Sequence, residues 1–397
     1  MRERRGKRKG IVMAKGGKKV VELLDGNTAA AHAAVLSRVE CMPCFPITPQ
    51  TEMIHVLSEW KAEGRFKAQF KVMDSEHSAM SAAIGAEMAG ARTFTSTSSQ
   101  GLLLMLEELY IASGTRMPVV MVNGSRAVSA PITLWCDHND LMATRDSGWL
   151  ITVSENNQEL LDNVIISFRV GESKKIMLPS IVNMDGFVQS YTRYEVEIPS
   201  QKTVDRFLPK YKPQTILDPR NPMSLGTPAM PQYMDFRAQM HRAQLDALGE
   251  MKRAYAGWAK LTGRKYDVVE RYKLADAKEA IIIIGSNALT AKTAVDELRA
   301  KGKKVGLLRL RVLRPFPRDE IAAALRGVKK VAVVDQSVAP GAGGILYPEV
   351  RAALAGSGAK VSSYIAGLGG RWVEVKDYAE IFRQIRNAGK ELRRWVM

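Results

Sequence analysis

Residues 73–126 decide the fold, and they read MDSEHSAMSAAIGAEMAGARTFTSTSSQGLLLMLEELYIASGTRMPVVMVNGSR. An alanine-rich helix is predicted from Glu76, followed by the strand RTFTST, the polar turn SSQG, a second apolar helix LLLMLEELYIAS and the strand MPVVMVNG. Helices and strands that alternate in this order predict a parallel sheet, whose ligand site lies beyond the carboxyl ends of its strands. Glu76 and Arg126 therefore bring one acid and one base to that edge of the sheet.

Two helices begin with residues that suit a helix start. Small residues dominate the helix from Glu76, so it is expected to pack closely and to be mostly buried. A glutamate at this position also has a structural explanation, because the helix dipole favours a negative charge there. Both interpretations of Glu76 are open from these residues alone. Residues 27–39 predict another helix, with Asn27 and Thr28 supplying side-chain oxygens to its free amides.

A proline-stiffened turn follows the strand that ends at Phe45. Pro46 and Pro49 fix the backbone on either side of Thr48, because the proline ring locks its own φ angle. A turn of this kind at the end of a strand holds a hydroxyl accurately. We therefore treat Thr48 as a candidate binding residue.

The size and charge of the chain limit the possible functions. Its 397 residues exceed the roughly 250 to 300 that one core usually supports, so two domains are expected. Much of the net charge of +17 lies in the basic tail 1–19, which we interpret as solvated, and the rest is scattered along helices. A more specific alternative is that this positive charge contacts an acidic, ferredoxin-like partner. Nucleic acid is less favoured, because no recognised binding motif accompanies the charge.

The sequence contains no apolar run of the roughly 18 to 20 uncharged residues that would span a bilayer. Its basic amino end also lacks the apolar core of a signal peptide. A cytoplasmic location is therefore expected.

Several residues are of a type that binds metals. Cys41 and Cys44 could form a metal pair or a redox dithiol, but we interpret them as small buried hydrophobes of a strand. With Cys136 there are only three cysteines, too few for a cubane cluster, so any iron-sulfur centres lie on other chains. His32 is interpreted as a packed side chain. Residues 137–140, Asp-His-Asn-Asp, invite a metal interpretation, but we favour a plain loop, because no further cluster of ligands is obvious.

The rest of the chain predicts a connection and a second α/β unit. Prolines recur over 195–232, which predicts an extended connection, and residues 233–261 predict a long amphipathic helix. From residue 277 onward, helices alternate with strands, which favours a second parallel sheet. The turn at 340–344, Pro-Gly-Ala-Gly-Gly, is interpreted as a strand-to-helix turn or a subunit contact, because it lacks the lysine of a phosphate-binding loop.

An ordered set of motifs carries a family resemblance. The motifs are Asp25-Gly26-Asn27, Phe45-Pro46-Ile47-Thr48-Pro49-Gln50-Thr51, Ser75-Glu76-His77-Ser78-Ala79, Ser98-Ser99-Gln100-Gly101, and Ala130-Pro131 followed by Asp137-His138. Together they resemble the alpha subunits of the 2-oxoacid:ferredoxin oxidoreductase family, which includes pyruvate:ferredoxin oxidoreductase (pyruvate synthase). The resemblance covers about residues 20–395.

The resemblance implies the architecture. Residues 20–195 are expected to form the pyrimidine-binding-type α/β domain of a thiamine diphosphate enzyme. An extended linker and a long helix follow over 196–275. Residues 276–397 are expected to form a transketolase C-terminal-like α/β domain.

The resemblance also implies the site residues. Thiamine diphosphate needs a buried carboxyl that hydrogen-bonds its pyrimidine ring, in an apolar wall that raises the pKa of the acid. Glu76 is expected to make that contact, with Pro46 beside the cofactor. Arg126 is expected to bind the 2-oxoacid carboxylate, and Thr48 its keto oxygen.

Thiamine enzymes hold the diphosphate through Mg²⁺ with a Gly-Asp-Gly stretch, which this sequence lacks. Asp25-Gly26 follows leucine and Asp185-Gly186 follows methionine. The resemblance implies that a beta subunit supplies the Mg²⁺ ligands. It also implies gamma and delta subunits with coenzyme A contacts and ferredoxin-like iron-sulfur clusters.

Three functions compete at this level. The first is a 2-oxoacid:ferredoxin oxidoreductase subunit that forms acyl-CoA, CO₂ and reduced ferredoxin, reversibly. Pyruvate is the first choice of substrate, and 2-oxoisovalerate or another branched-chain 2-oxoacid is next. The second is half of a non-redox thiamine enzyme. The third is a polyanion-binding scaffold, which the positive charge suggests.

Overall fold

The computed structural model describes residues 20–226 and 230–397. The basic tail 1–19 and Pro228 of the proline-rich connection lie outside the described residues. The described chain forms two α/β halves with mostly parallel sheets, which confirms the predicted fold class.

The first half alternates strands and helices. Its strands are β1 (Val20–Leu24), β2 (Cys41–Cys44), β3 (Gln69–Val72), β4 (Phe94–Thr97), β5 (Val120–Ser125), β6 (Leu150–Val153), β7 (Ser180–Asp185) and β8 (Tyr194–Ile198). Its helices are α1 (Gly26–Leu36), α2 (Thr51–Ala62), α3 (Glu76–Met88), α4 (Ser99–Leu104), α5 (Leu106–Gly114), α6 (Asn139–Ala143), α7 (Asn157–Gly171), α8 (Val188–Tyr191), α9 (Gln201–Phe207) and α10 (Tyr233–Thr262). The long helix predicted over 233–261 is therefore confirmed.

The second half contains the predicted alternation of strands and helices, together with three strands and a carboxyl-terminal helix that were not predicted. Its strands are β9 (Val269–Tyr272), β10 (Glu279–Ile283), β11 (Val305–Leu310), β12 (Val312–Arg314), β13 (Lys330–Asp335), β14 (Lys360–Ile365) and β15 (Arg393–Trp395). Its helices are α11 (Asn287–Ala300), α12 (Arg318–Ala324), α13 (Leu346–Ala353) and α14 (Val375–Asn387). The sheet order is β15-β14-β13-β10-β11-β9, and β9 alone in this sheet is antiparallel to its neighbour.

The first sheet brings four strand ends to one edge. Strands β4, β5, β7 and β6 are parallel, and β12 from the second half adds to β6 in the antiparallel direction. The parallel pair of β2 and β3 adjoins β4 through a bridge between Cys41 and Thr93. The carboxyl ends of β2, β4, β5 and β7 therefore lead into loops at the same edge, as the sequence predicts.

Three local features differ from the predictions. The N-cap of α1 is Asp25, which accepts a hydrogen bond from the Thr28 backbone at 2.8 Å, and not Asn27 or Thr28. The helix begins one residue earlier than expected, and Asn27 instead donates to the Pro49 carbonyl at 3.0 Å. The predicted second apolar helix is interrupted at Met105, which separates α4 from α5.

The connection over 195–232 is more ordered than expected. It contains the end of β8 and the whole of α9, and β8 crosses the predicted limit at residue 195 to pair antiparallel with β1. The backbone of β8 forms its strand hydrogen bonds with β1, which is far away in sequence. The domain limits stay a prediction.

A buried ionic network joins the two halves. Glu159 in α7 accepts hydrogen bonds from Arg309 Nη1 at 3.0 Å and Nη2 at 2.8 Å, and from Arg311 Nε at 2.9 Å. All three side chains are buried. Burial by itself raises the pKa of Glu159, but the charges of Arg309 and Arg311 lower it to about 2.

Glu159→Gln is expected to lower the free energy of unfolding by about 3 kcal/mol, because it removes the charge of the carboxylate that accepts hydrogen bonds from both buried arginines and leaves Glu270 as their nearest remaining counter-charge. The folded pKa lies below the ordinary value of 4.5, so the contribution is fully present above that pH and is lost as the pH falls toward 2. Urea unfolding of the full chain over a pH series measures both effects.

The matched control is Glu380→Gln, which removes the solvent-exposed pair of Glu380 with Arg383. It should change the free energy of unfolding by less than about 1 kcal/mol. Equal losses for the two variants would contradict the assigned role of the buried network.

Candidate active site

Glu76 begins α3 and faces the start of α4. Its N-cap, Ser75, accepts a hydrogen bond from the Ser78 backbone at 3.1 Å, which fixes the first turn of the helix. A Cβ atom at Gly101 would lie 2.8 Å from the Glu76 Cδ atom and 2.6 Å from Thr97 Oγ1. Position 101 must therefore be glycine for the Glu76 carboxyl to occupy this place.

The environment of Glu76 favours its protonated form. The residue is only 6% exposed, and burial raises the pKa of its carboxyl. Its own backbone N–H and the charge of Arg126 oppose that rise. Thr97 Oγ1, close to the same glycine, is buried and has no hydrogen-bond partner among the described residues. The wall around Glu76 thus contains a polar atom that the described chain leaves unsatisfied.

Arg126 follows β5 directly and ties two turns together. Its Nη1 donates to the Thr48 carbonyl at 2.7 Å, and its Nη2 donates to Gln100 Oε1 at 2.7 Å. Its Nε is buried and has no partner in the described chain. Burial lowers the pKa of Arg126, while Asp140, Glu76 and Tyr191 act in the opposite direction. A guanidinium remains charged under such conditions, so the edge carries one buried cation.

The turn after β2 places Thr48 beside Arg126. Gln50 braces this turn, because its Nε2 donates to the Phe45 carbonyl at 2.8 Å and its Oε1 accepts from Ser96 Oγ at 2.9 Å. Thr48 is half-buried, and its hydroxyl has no partner within residues 20–226 and 230–397. Pro46 lies exposed on the same turn.

Three of the four predicted site residues therefore come together at this edge. Arg126 contacts Thr48 directly and acts electrostatically on Glu76. Pro46 has no described contact with the other three. The sequence analysis did not identify Gln100 as a site residue. Gln100 lies in the quoted SSQG turn and accepts a hydrogen bond from Arg126.

Asp140 also lies at this edge, and the sequence analysis assigned it no role in the site. It is fully buried, and burial raises the pKa of its carboxyl to about 6, against hydrogen bonds from Ser125, Asn123 and two backbone N–H groups. Residues 137–140 were expected to be a plain loop, but α6 begins at Asn139. The described residues hold no group of three or more His, Cys, Asp or Glu placed to bind a metal ion.

The other candidate residues have structural surroundings. His32 is buried edge-on against Trp60, with ring centroids 4.6 Å apart, and burial lowers its pKa to about 4. Cys41 is half-buried and Cys44 buried, and burial raises the pKa of the Cys44 thiol to about 12. These surroundings support packed side chains. The 340–344 turn connects β13 to α13, and the Asp335 carboxylate accepts the first backbone N–H groups of α13.

An exposed apolar surface lies beside the site. It consists of Ile132, Leu134, Trp135, Phe187 and Tyr191, and we call it the aromatic surface. The rings of Trp135 and Phe187 are 5.3 Å apart, and those of Phe187 and Tyr191 are 5.9 Å apart. Tyr191 lies close enough to Arg126 to interact with it electrostatically, so this surface lies near the site. Contiguous apolar surfaces of this kind mark interaction sites.

No helix in the described part of the chain is long and apolar enough to cross a membrane.

Comparison with known protein families defines the class of protein to which this chain belongs. Residues 32–255 match the model described as "Pyruvate flavodoxin/ferredoxin oxidoreductase, thiamine diP-bdg", and residues 277–378 match "Pyruvate:ferredoxin oxidoreductase core domain II". The first half is therefore a thiamine diphosphate-binding domain. The chain belongs to the pyruvate flavodoxin/ferredoxin oxidoreductase family, as the motifs predict.

Curated relatives cover nearly the whole chain. Pyruvate synthase subunit PorA of Methanothermobacter thermautotrophicus is 44% identical over 95% of this chain and 98% of its own length. Ketoisovalerate oxidoreductase subunit VorA of Pyrococcus horikoshii is 40% identical over 94% of this chain and 96% of its own. Both names describe subunits of oxidoreductases.

A solved structure shares the fold. It is that of 2-oxoglutarate:ferredoxin oxidoreductase from Magnetococcus marinus, which matches with a TM-score of 0.69 and 18% identity over 92% of this chain. This chain spans 65% of the length of that one.

Gly101→Ala is expected to lower the oxidoreductase activity of the assembled enzyme by about 100-fold. A Cβ at this position would overlap the Glu76 carboxyl and move it, and misplacement by about 1 Å can cost that much. Steady-state kinetics of the assembled complex measure the effect. Gly85→Ala, in the middle of α3 with no atom within 4 Å of the added Cβ, is the matched control and should retain full activity. Unchanged activity of Gly101→Ala would argue against this position for Glu76 in the working enzyme.

Proposed function

We propose that this chain is the alpha subunit of a pyruvate:ferredoxin oxidoreductase. It would take part in the reversible conversion of pyruvate, coenzyme A and oxidised ferredoxin to acetyl-CoA, CO₂ and reduced ferredoxin. The observation that carries the proposal is the buried Glu76 carboxyl packed over Gly101, at the same strand-end edge as Arg126. The 44% identity to a pyruvate synthase subunit supports the choice of reaction.

The surroundings of Glu76 fit the pyrimidine ring of thiamine diphosphate. The acid is buried with a raised pKa, and within the described residues no other side chain donates to it. When bound, the cofactor supplies a carbon nucleophile that adds to the keto carbon of the substrate. Glu76 would share a proton with a ring nitrogen of the cofactor, and the buried Thr97 hydroxyl beside Gly101 offers a further polar contact. Pro46 would contact the cofactor from the exposed side of its turn.

Arg126 and Thr48 provide the groups that a 2-oxoacid requires. The guanidinium is buried, so its attraction for a carboxylate is less screened than on the surface. Its Nε is unpaired and the Thr48 hydroxyl has no partner in the described chain. Arg126 would bind the substrate carboxylate, and the Thr48 hydroxyl would donate to the keto oxygen as that oxygen gains negative charge.

The site would be completed by a second subunit. The sequence has no Gly-Asp-Gly stretch for Mg²⁺, so a beta subunit would supply the ligands that hold the diphosphate. The aromatic surface beside Arg126 supports a partner at this edge. Three cysteines cannot hold a cubane cluster, so gamma and delta subunits would carry the iron-sulfur clusters and the coenzyme A contacts. The complex would be cytoplasmic.

A branched-chain 2-oxoacid is the second candidate substrate. The 40% identity to a ketoisovalerate oxidoreductase subunit, over almost the same length, favours it. The carboxylate and keto contacts of Arg126 and Thr48 would serve either substrate equally, because both share the 2-oxoacid group. The predicted domain limits, 20–195, 196–275 and 276–397, apply to both candidates.

The first test is a substrate panel on the assembled complex with a viologen as electron acceptor. We expect kcat/KM for pyruvate to exceed that for 2-oxoisovalerate by at least about tenfold, because a pocket fitted to a methyl group excludes branched chains. The reverse order would transfer the proposal to the branched-chain enzyme. Glu76→Gln should abolish turnover with every substrate and leave assembly intact, whereas a polyanion-binding scaffold would show no change.

The second test concerns the shared cofactor site. Calorimetry on the lone chain should show no tight Mg²⁺-dependent binding of thiamine diphosphate, because the described chain offers no Mg²⁺ ligand group. Adding the beta subunit should create binding with a Kd in the micromolar range or below. Tight binding by the lone chain would count against a shared site.

A further inference from the structure

Asp140 is the acceptor on which the loops of the site converge. Its carboxylate is fully buried behind the carboxyl edge of the first sheet. Its two oxygens accept hydrogen bonds from Ser99 N at 3.1 Å, Asn123 Nδ2 at 3.2 Å, Ser125 Oγ at 2.6 Å, Arg126 N at 3.2 Å and Leu141 N at 2.7 Å. Four of these five donors come from the ends of β4 and β5.

These donors flank the groups that hold the Arg126 guanidinium. Ser99 precedes Gln100, whose Oε1 accepts from Arg126 Nη2. The backbone N–H of Arg126 itself is held by Asp140. We propose that Asp140 is a positioning residue for the substrate carboxylate site. It fixes the backbone N–H of Arg126 and the turn that contains Gln100 relative to each other.

The segment that carries Asp140 is held by the second half of the chain. Asp137 Oδ2 accepts from the Gly369 backbone at 3.2 Å, and the His138 backbone donates to the Gln336 carbonyl at 2.8 Å. Asn139 Oδ1 accepts from the Val338 backbone at 2.9 Å. Gln336 and Val338 follow β13, so the carboxyl edge of the second sheet supports Asp140 from behind. The second half thereby helps to set the geometry of a site that it does not enter.

The carboxylate charge is necessary for this arrangement. The five groups that hydrogen-bond to Asp140 are all donors, and Oδ2 accepts from three of them while Oδ1 accepts from Ser125 Oγ and Leu141 N. Asp140→Asn keeps the shape but presents an NH₂ group to at least two donors. The turn that contains Gln100 and the Arg126 backbone would then move apart. The Arg126 guanidinium would be displaced by part of an ångström.

The test uses the assembled complex and rests on the proposed role of Arg126. Asp140→Asn should raise the KM for the 2-oxoacid by about tenfold or more and leave the KM for coenzyme A unchanged. Asp162→Asn is the matched control, because Asp162 is equally buried and accepts hydrogen bonds from Arg264 and Tyr266, away from the loops that surround Asp140. It should lower the Tm without changing the KM for the 2-oxoacid.

A double-mutant cycle with Arg126→Lys separates positioning from an independent effect. If Asp140 acts through Arg126, Asp140→Asn should reduce kcat/KM by less than about twofold in the Arg126→Lys background. Two outcomes would overturn the inference. One is that the reductions in kcat/KM caused by the two single substitutions multiply fully in the double variant. The other is that Asp140→Asn keeps the wild-type KM for the 2-oxoacid. An Arg126→Lys variant with unchanged KM would instead overturn the proposed substrate role of Arg126 and, with it, the role of Asp140.

Discussion

A buried guanidinium needs partners, because an isolated charge away from water costs several kcal/mol or more. Arg126 meets this requirement with the Thr48 carbonyl and the Gln100 side chain. Satisfying one charge thus joins the loops that follow β2, β4 and β5. The Arg126 Nε has no hydrogen-bond partner among the described residues, which supports the proposed binding of a substrate carboxylate at this position.

The second half supports the first in three separate ways. Strand β12 extends the first sheet, Arg309 and Arg311 neutralise Glu159 in α7, and the loop after β13 holds the segment that carries Asp140. Buried ionic contacts contribute little net stability over an apolar core, but breaking one is costly. The two halves are therefore held in a defined relative position, which a site assembled from several loops requires.

The accuracy of the sequence-based predictions depended on the range of the interactions involved. Helix α10 and the strands β10, β11, β13 and β14 follow from local periodicity, which one segment carries by itself, whereas β9, β12 and β15 were not predicted. The N-cap of α1 was assigned wrongly, because Asn27 bonds instead to the distant Pro49 carbonyl. Asp140 was considered only as a metal ligand or as part of a plain loop, since nothing in its neighbourhood indicates donors from two distant segments, the ends of β4 and β5.

The sequence by itself determined the α/β class and the family. It also identified Glu76, Thr48 and Arg126 as candidate site residues, because each lies at a strand end or helix start that local patterns reveal. Only the tertiary structure decided how these residues meet. The glycine that makes room for Glu76, the turn that binds Arg126 and the carboxylate behind both are 25 or more residues from at least one of their partners. Contacts over such distances depend on the packing of whole strands and helices, which no local pattern encodes.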